Sequence, residues 1–177
     1  MITVSIITIG DELLIGQVID TNSAWMAQQL NKAGIKVIRR VAVGDDWNDI
    51  WNALDQESEK SNVILITGGL GPTADDITKP LLCEYFGGKM ITHQPSLAII
   101  KHLFEHVFKR PMTARNEKQA EVPDCCEVIL NHNGTAPGMM FEKSGTVFFS
   151  LPGVPFEMMA MVENPILEII QIGRAHV

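Results

Sequence analysis

Basic residues are too few, and too scattered, to suggest a nucleic-acid partner: the 177-residue chain has 14 Lys and Arg against 21 Asp and Glu, a formal net charge of −7. An anionic ligand would have to be held by backbone N–H groups or through a metal. Cysteine is scarce as well. Cys83, Cys125 and Cys126 form no CxxC or Cys/His metal spacing, and vicinal cysteines bridge each other poorly, so reduced thiols and a cytoplasmic location are expected. No apolar stretch approaches the ~18 residues of a membrane span. The opening MITVSIITIG has no basic region ahead of its apolar residues and reads as a strand rather than a signal peptide. Repeats and low-complexity linkers are missing too. With 46% apolar and 20% charged residues, the composition is that of a folded globular domain. A chain of this length buries roughly 70% of the surface its unfolded form exposes.

Apolar runs alternate with segments of helical period. Strands are expected at Thr3 to Ile9, Lys36 to Val43 and Asn62 to Thr67, with helices between them at Asn22 to Ala33 and Asp46 to Glu59. Thr21, Asn22 and Ser23 are the cap candidates for the first helix and Gly34 its stop. A helix at Ile77 to Phe86 stops at Gly87-Gly88, and a longer one runs from Pro95 to Phe108. Arg110 to Cys126 is less regular. Glu127 to Leu130 reads as a strand, and Gly138 to Glu142 with Thr146 to Leu151 as a hairpin across Lys143-Ser144-Gly145. A last helix begins near Pro155 and is interrupted at Asn164-Pro165, and residues 171–177 read as a tail. This order predicts an α/β fold, three layers around a mainly parallel sheet, over residues 1–170.

In such sheets the ligand lies outside the carboxyl ends of the strands. The residues just there are Ile9-Gly10-Asp11-Glu12, Gly44-Asp45-Asp46, the run TGGLGPTADD from Thr67 to Asp76, NGTAPG from Asn133 to Gly138, and LPGVPFE from Leu151 to Glu157. Glycines let backbone approach a ligand closely, and N–H groups opening a helix bind phosphate oxygens. Taken alone, Gly68-Gly69 is also an ordinary turn; the run is neither a P-loop nor GxGxxG. Asp75-Asp76 would also serve as a cap for the helix that follows, but capping accounts for only one of the pair and not for Asp11, Glu12, Asp45 and Asp46 on the same edge. Carboxylates around an anion site call for a bridging cation, and Mg²⁺ or another divalent metal favours one or two carboxylates plus substrate phosphate.

The remaining motifs point to structure. His102 and His106 stand four apart without the glutamate of HExxH, and read as surface histidines rather than zinc ligands. Met139, Met140, Met158, Met159 and Met161, like Trp25, Trp47 and Trp51, read as packing.

TGGLGPTADDIT, together with TIGDELLIGQVIDTNS, NGTAPG and LPGVPFEM, closely resembles the N-terminal domain of CinA-type competence/damage-inducible proteins, in the molybdopterin-binding superfamily that includes MoaB and MogA. The resemblance runs from about Thr3 to Ile170. It implies metal-dependent hydrolysis of ADP-ribose to AMP and ribose 5-phosphate; the MogA-like branch instead binds molybdopterin and adenylylates it. The superfamily's TGGxG maps to Thr67, Gly68, Gly69, Leu70 and Gly71, its following acidic and hydroxyl positions to Asp76 and Thr78, and the acidic position after the second strand to Asp45. Leu70 between the glycines and the acidic GPTADD favour the CinA-like side. Full CinA proteins continue into an amidase domain for which this chain has no room, and the families tend to self-associate.

The expected site is therefore Asp76 and Asp45 in catalysis, with Asp11, Glu12, Asp45 and Asp76 as metal ligands. Gly10, Thr67, Gly68, Gly69, Gly71, Thr78, Asn133, Thr135 and Gly153 are expected around the ligand. That ligand is a small nucleotide or pterin phosphate; a homo-oligomer is expected, with no nucleic acid and no membrane. A binding module without turnover and a molybdopterin adenylyltransferase are the alternatives.

Overall fold

A computed structural model describes residues 1–175. The first half runs β1 (Thr3–Ile9), α1 (Asp11–Leu14), α2 (Thr21–Lys32), β2 (Lys36–Val43), α3 (Trp47–Ser58), β3 (Val63–Thr67) and α4 (Thr78–Tyr85). Then come β4 (Met90–Thr92), α5 (Gln94–His102), α6 (Ala114–Glu117), β5 (Glu121–Pro123), β6 (Glu127–Ile129), β7 (Gly138–Lys143), β8 (Thr146–Leu151), α7 (Pro155–Met161) and α8 (Leu167–Ala175).

The main sheet has the order β2-β1-β3-β8-β7-β6; the first four strands are parallel and the last two antiparallel. β3 at its centre is buried at all five positions, and the two-residue period of a strand sends its side chains alternately to two cores. Val63 and Leu65 join Met26, Leu30, Phe149, Met158 and Ile166 on one face. Ile64 and Ile66 join Ile50, Leu54, Leu81, Phe141 and Phe148 on the other. Helices thus cover both faces, giving the three-layer α/β architecture. Met139, Met158 and Met161 are core residues, and Trp25, Trp47 and Trp51 pack against the cores half-buried.

Local chemistry sets the boundaries. Asp20, one residue ahead of the expected candidates, caps α2 by accepting from Ser23 N–H, because a carboxylate there reaches the third amide of the helix. Asp46 does the same for α3 through Asp49 N–H. α4 has Ile77 as its N-cap residue and no side-chain cap, so neither Asp75 nor Asp76 caps it. The two-residue turn between β7 and β8 places Ser144 and Gly145 at positive φ, as a tight hairpin demands. α5 continues as a π-helical turn over Leu103–Phe108, so the long helix expected to Phe108 changes winding at its end. Asn164, preceding Pro165, leaves helical geometry, the expected interruption. Beyond it α8 stays helical through Ala175, so the break expected at 171 falls inside a helix; residues 176–177 lie outside the described residues. Three-residue strands β4 and β5 pair antiparallel as a separate small sheet that apolar patterning did not foreshadow. Among the described residues, no helix is long and apolar enough to cross a membrane.

Candidate functional site

β1, β3 and β8 end in register, Thr8 beside Thr67 and Thr67 beside Leu151. The loops that leave them therefore start from one edge and enclose a cavity of about 550 Å³. Gly10, Glu12 and Asp45 line it from the ends of β1 and β2, Thr67 to Gly71 with Asp75 and Asp76 from the loop after β3, Thr135 from the loop before β7, and Gly153 from the loop after β8. The composition gathered on this edge is thus brought together around one space.

The glycines make that space possible in different ways. Gly68 and Gly69 have φ of 107° and 69°, and a Cβ on Gly68 would lie 2.3 Å from the Ile9 carbonyl oxygen. The loop can therefore leave β3 against β1 only with glycine there. The Gly68 N–H donates to the Leu151 carbonyl at 3.3 Å and the Gly10 N–H to the Val43 carbonyl at 2.9 Å. These two amides are engaged within the sheet edge and are not free for a phosphate, although both glycines line the cavity as expected. The amides of Gly69 and Gly71 donate to no acceptor among the described residues.

The carboxylates divide. Asp45 lines the cavity, and burial pushes its carboxyl above the usual range, with Asp11, Glu12 and Asp76 adding repulsion and a hydrogen bond from the Asp11 backbone opposing. Asp76 lines it too, while its Oδ2 accepts from the N–H and hydroxyl of Thr73, folding the loop back on itself. Asp11 is not part of the lining: its side chain is spent on the Asp45 N–H. Among the described residues no three His, Cys, Asp or Glu side chains converge as a ready-made metal site. The donor set nevertheless suits Mg²⁺, because Glu12, Asp45 and Asp76 offer hard oxygens and substrate phosphate would supply the rest.

Two other expected contacts sit elsewhere. Thr78 is fully buried beneath the loop, its hydroxyl without a partner and within contact of the place a Gly69 side chain would need. Asn133 is exposed and away from the cavity, its N–H donating to Asn131 Oδ1 in a local turn. His102 and His106 are exposed with ring centroids 4.7 Å apart, and neither is part of the cavity lining.

Several lining residues were not singled out from the sequence. Asp20 accepts from the hydroxyls of Thr8 and Ser23. Asn22 Nδ2 donates to the Gly153 carbonyl at 2.8 Å, and Thr67 Oγ1 donates to the Pro152 carbonyl at 2.9 Å, which ties α2 and β3 to the loop after β8. Gln119 Oε1 accepts from Thr135 Oγ1 at 3.3 Å, both residues lining the cavity. Lys79, buried beside it, donates to the Gln119 carbonyl at 3.0 Å. Glu157, in the first turn of α7, lines the cavity too. Position along the chain could have flagged Glu157, the end of LPGVPFE; nothing local marks Gln119.

Residues 5–171 match the family described as "Probable molybdopterin binding domain". A CinA-like protein of Flavobacterium psychrophilum is 51% identical over 163 residues, which is 92% of this chain and 39% of that protein. A CinA-like protein of Cytophaga hutchinsonii is 48% identical over 159 residues, 90% of this chain and 38% of its own length. The chain thus spans about two fifths of the curated relatives it matches. The crystal structure of CinA from Thermoplasma acidophilum superposes with a TM-score of 0.81 at 35% identity, covering 91% of this chain and 94% of that one. The tungsten cofactor synthesizing protein MoaB from Pyrococcus furiosus, with a TM-score of 0.62 at 18% identity over 98% of both chains, shares the fold. With the model matched over nearly its whole length and a CinA structure of the same extent superposed on it, this chain belongs to the molybdopterin-binding domain family, on its CinA-like side.

Proposed function

We propose that the cavity binds a phosphate-bearing nucleotide and hydrolyses its pyrophosphate, with ADP-ribose giving AMP and ribose 5-phosphate. The observation that carries this reading is the joining, in one 550 Å³ cavity, of a glycine loop with free amides and of carboxylates from three separate strand ends. The amides of Gly69 and Gly71 suit phosphate oxygens. Asp45 lines the cavity, and burial raises its carboxyl above the ordinary range, which makes it a stronger base toward an attacking water than a solvated carboxylate. Asp76 and Glu12 face the same space as Asp45, and one or two of these carboxylates would hold Mg²⁺ or a similar ion with substrate phosphate oxygens. When bound, such an ion supplies charge neutralisation for the developing oxyanions. Holding the two phosphates in line between the glycine loop and Asp45 supplies the orientation the displacement needs.

Incubation of the purified chain with ADP-ribose and Mg²⁺, with and without EDTA, tests the reading by chromatography of AMP. AMP formed only with metal is the expected result; saturable binding without AMP under any divalent metal would overturn it. The family description favours a second reading, a pterin-phosphate site. Its mark would be binding of molybdopterin, with adenylylated pterin formed from ATP if the site also transfers.

A further inference from the structure

Glu157 is a buried carboxylate with no cation to pair it. Only 9% of the residue is exposed, and no Lys, Arg or His forms an ion pair with it among the described residues. Its Oε2 accepts from Asn131 Nδ2 at 3.0 Å. The Asn131 amide is itself fixed, donating to the Ala136 carbonyl at 2.9 Å and accepting the Asn133 N–H at 3.0 Å, so Oε2 is held in one place. The carboxylate fills the space beside Gly134, where an added Cβ would meet Oε1 at once. Oε1 has no hydrogen-bond donor among the described residues, and Glu157 is part of the cavity lining.

A largely buried carboxylate with one protein hydrogen bond and no counter-ion carries a desolvation cost. A neutral amide or apolar side chain of the same size would fill the space without the desolvation penalty. Burial also raises the Glu157 carboxyl above its ordinary range, with the Asn131 hydrogen bond opposing. Such a group is accounted for by a ligand that uses it. Gln119 and Thr135, which also line the cavity, already bond each other, and no Lys, Arg or His is part of the lining.

We propose that Glu157 is a specificity-determining residue whose Oε1 accepts hydrogen bonds from neutral donors on the non-phosphate part of the ligand. The donors are either the vicinal hydroxyls of a ribose or the amino edge of a purine, both of which present O–H or N–H groups to a carboxylate oxygen. The inference rests on a nucleotide-sugar ligand and is independent of whether that ligand is hydrolysed.

The test is calorimetric binding of α,β-methylene ADP-ribose, which cannot be cleaved at the pyrophosphate, to wild type and Glu157→Gln in Mg²⁺, with thermal melts of both. Loss of a hydrogen bond to a charged acceptor weakens affinity by about 10- to 100-fold. The variant should melt at or above the wild-type temperature, since an unpaired buried charge has been removed. Two analogues identify the donor: one lacking the terminal ribose hydroxyls and one with hypoxanthine in place of adenine. The analogue that lacks the relevant donor should bind wild type and variant alike, whereas the other keeps the difference. Unchanged affinity in the variant overturns the proposal, as does a large fall in melting temperature, which would mark Glu157 as structural. If wild type binds the methylene compound yet yields no AMP from ADP-ribose, only the hydrolase reading fails; if wild type binds neither compound, both fail.

Discussion

Asp11 and Asp45 hold one another through their backbones: the Asp11 N–H donates to Asp45 Oδ2 at 3.1 Å, and the Asp45 N–H donates to Asp11 Oδ1 at 3.0 Å. The pair fastens the end of β1 to the end of β2 and leaves Asp45 on the cavity and Asp11 outside it. Their roles should separate on mutation. Asp11→Ala removes one acceptor and should cost about 1 kcal/mol in denaturant unfolding, with AMP formation falling only several-fold. Asp45→Ala should lower turnover at least ~100-fold, the usual size of an acid/base contribution. Equal losses in the two variants would show that Asp11 itself reaches the ligand.

Asp76 gives a second contrast. Its Oδ2 organises the turn at Thr73, while the carboxylate faces the cavity. Asp76→Asn can keep an oxygen on Thr73 but loses the charge, so turnover should fall ~100-fold or more with little change in melting temperature. A folded Asp76→Asn protein at full activity would remove this carboxylate from the mechanism.

The raised carboxyl of Asp45 predicts a pH signature. A carboxylate whose folded pKa lies above its unfolded value of about 3.9 favours folding when protonated and opposes it when ionised. Stability from this group is therefore present at low pH and lost as pH rises through the folded pKa. Asp45→Asn should be as stable as wild type or more so at pH 7, and that advantage should shrink as pH falls toward 4. Melting curves across this range check the sign; a variant advantage that grows on acidification would contradict the burial argument.

Gly68 and Gly16 separate two costs of a side chain. Gly16 has φ of 74° and open space around its missing Cβ, whereas Gly68 has φ of 107° and the Ile9 carbonyl in the way. Gly16→Ala should cost only the backbone term, about 1 kcal/mol. Gly68→Ala must also move β3 away from β1, so its loss should be larger and accompanied by loss of ligand binding. Similar melting temperatures for the two variants would argue that the loop yields without disturbing the sheet edge.

Much of this arrangement was legible in the chain. Continuous apolar runs such as Val63 to Ile66 mark central strands because both sides of the sheet are covered, and the residues after them had to share an edge once the strands were parallel. That reasoning located Gly10, Glu12, Asp45, Thr67, Gly69, Gly71, Asp76, Thr135 and Gly153 on one cavity. It does not tell which amides are already bonded, as that of Gly68 is to the Leu151 carbonyl. Nor could it see that Thr78 is turned beneath the loop and Asn133 outward, because side-chain direction in a turn follows dihedrals, not spacing. Gln119 escaped notice for a different reason: it is brought to the wall by Lys79 from forty residues away, and no local pattern records a contact of that range.

Lys79 offers the last prediction. Its ammonium is buried at 7% exposure beneath the cavity wall and donates to the Gln119 carbonyl. Burial lowers its pKa to about 8, against partial support from the charge of Glu121. In the unfolded chain the value is about 10.4. Below pH 8 both states are protonated and the folded state carries the whole desolvation cost. Between 8 and about 10.4 the unfolded chain binds the proton more tightly, so unfolding free energy must rise with pH, by on the order of 3 kcal/mol over the interval. The thiols of Cys83, Cys125 and Cys126, all pushed upward mainly by burial, give the opposite slope in the alkaline range. The difference between wild type and Lys79→Met, measured by urea unfolding from pH 7 to 10.5, cancels that slope to first order and isolates the amine. Wild type should gain on the variant steadily above pH 8. Parallel curves would mean that the lysine escapes to solvent and that the Gln119 wall is held by something other than its buried charge.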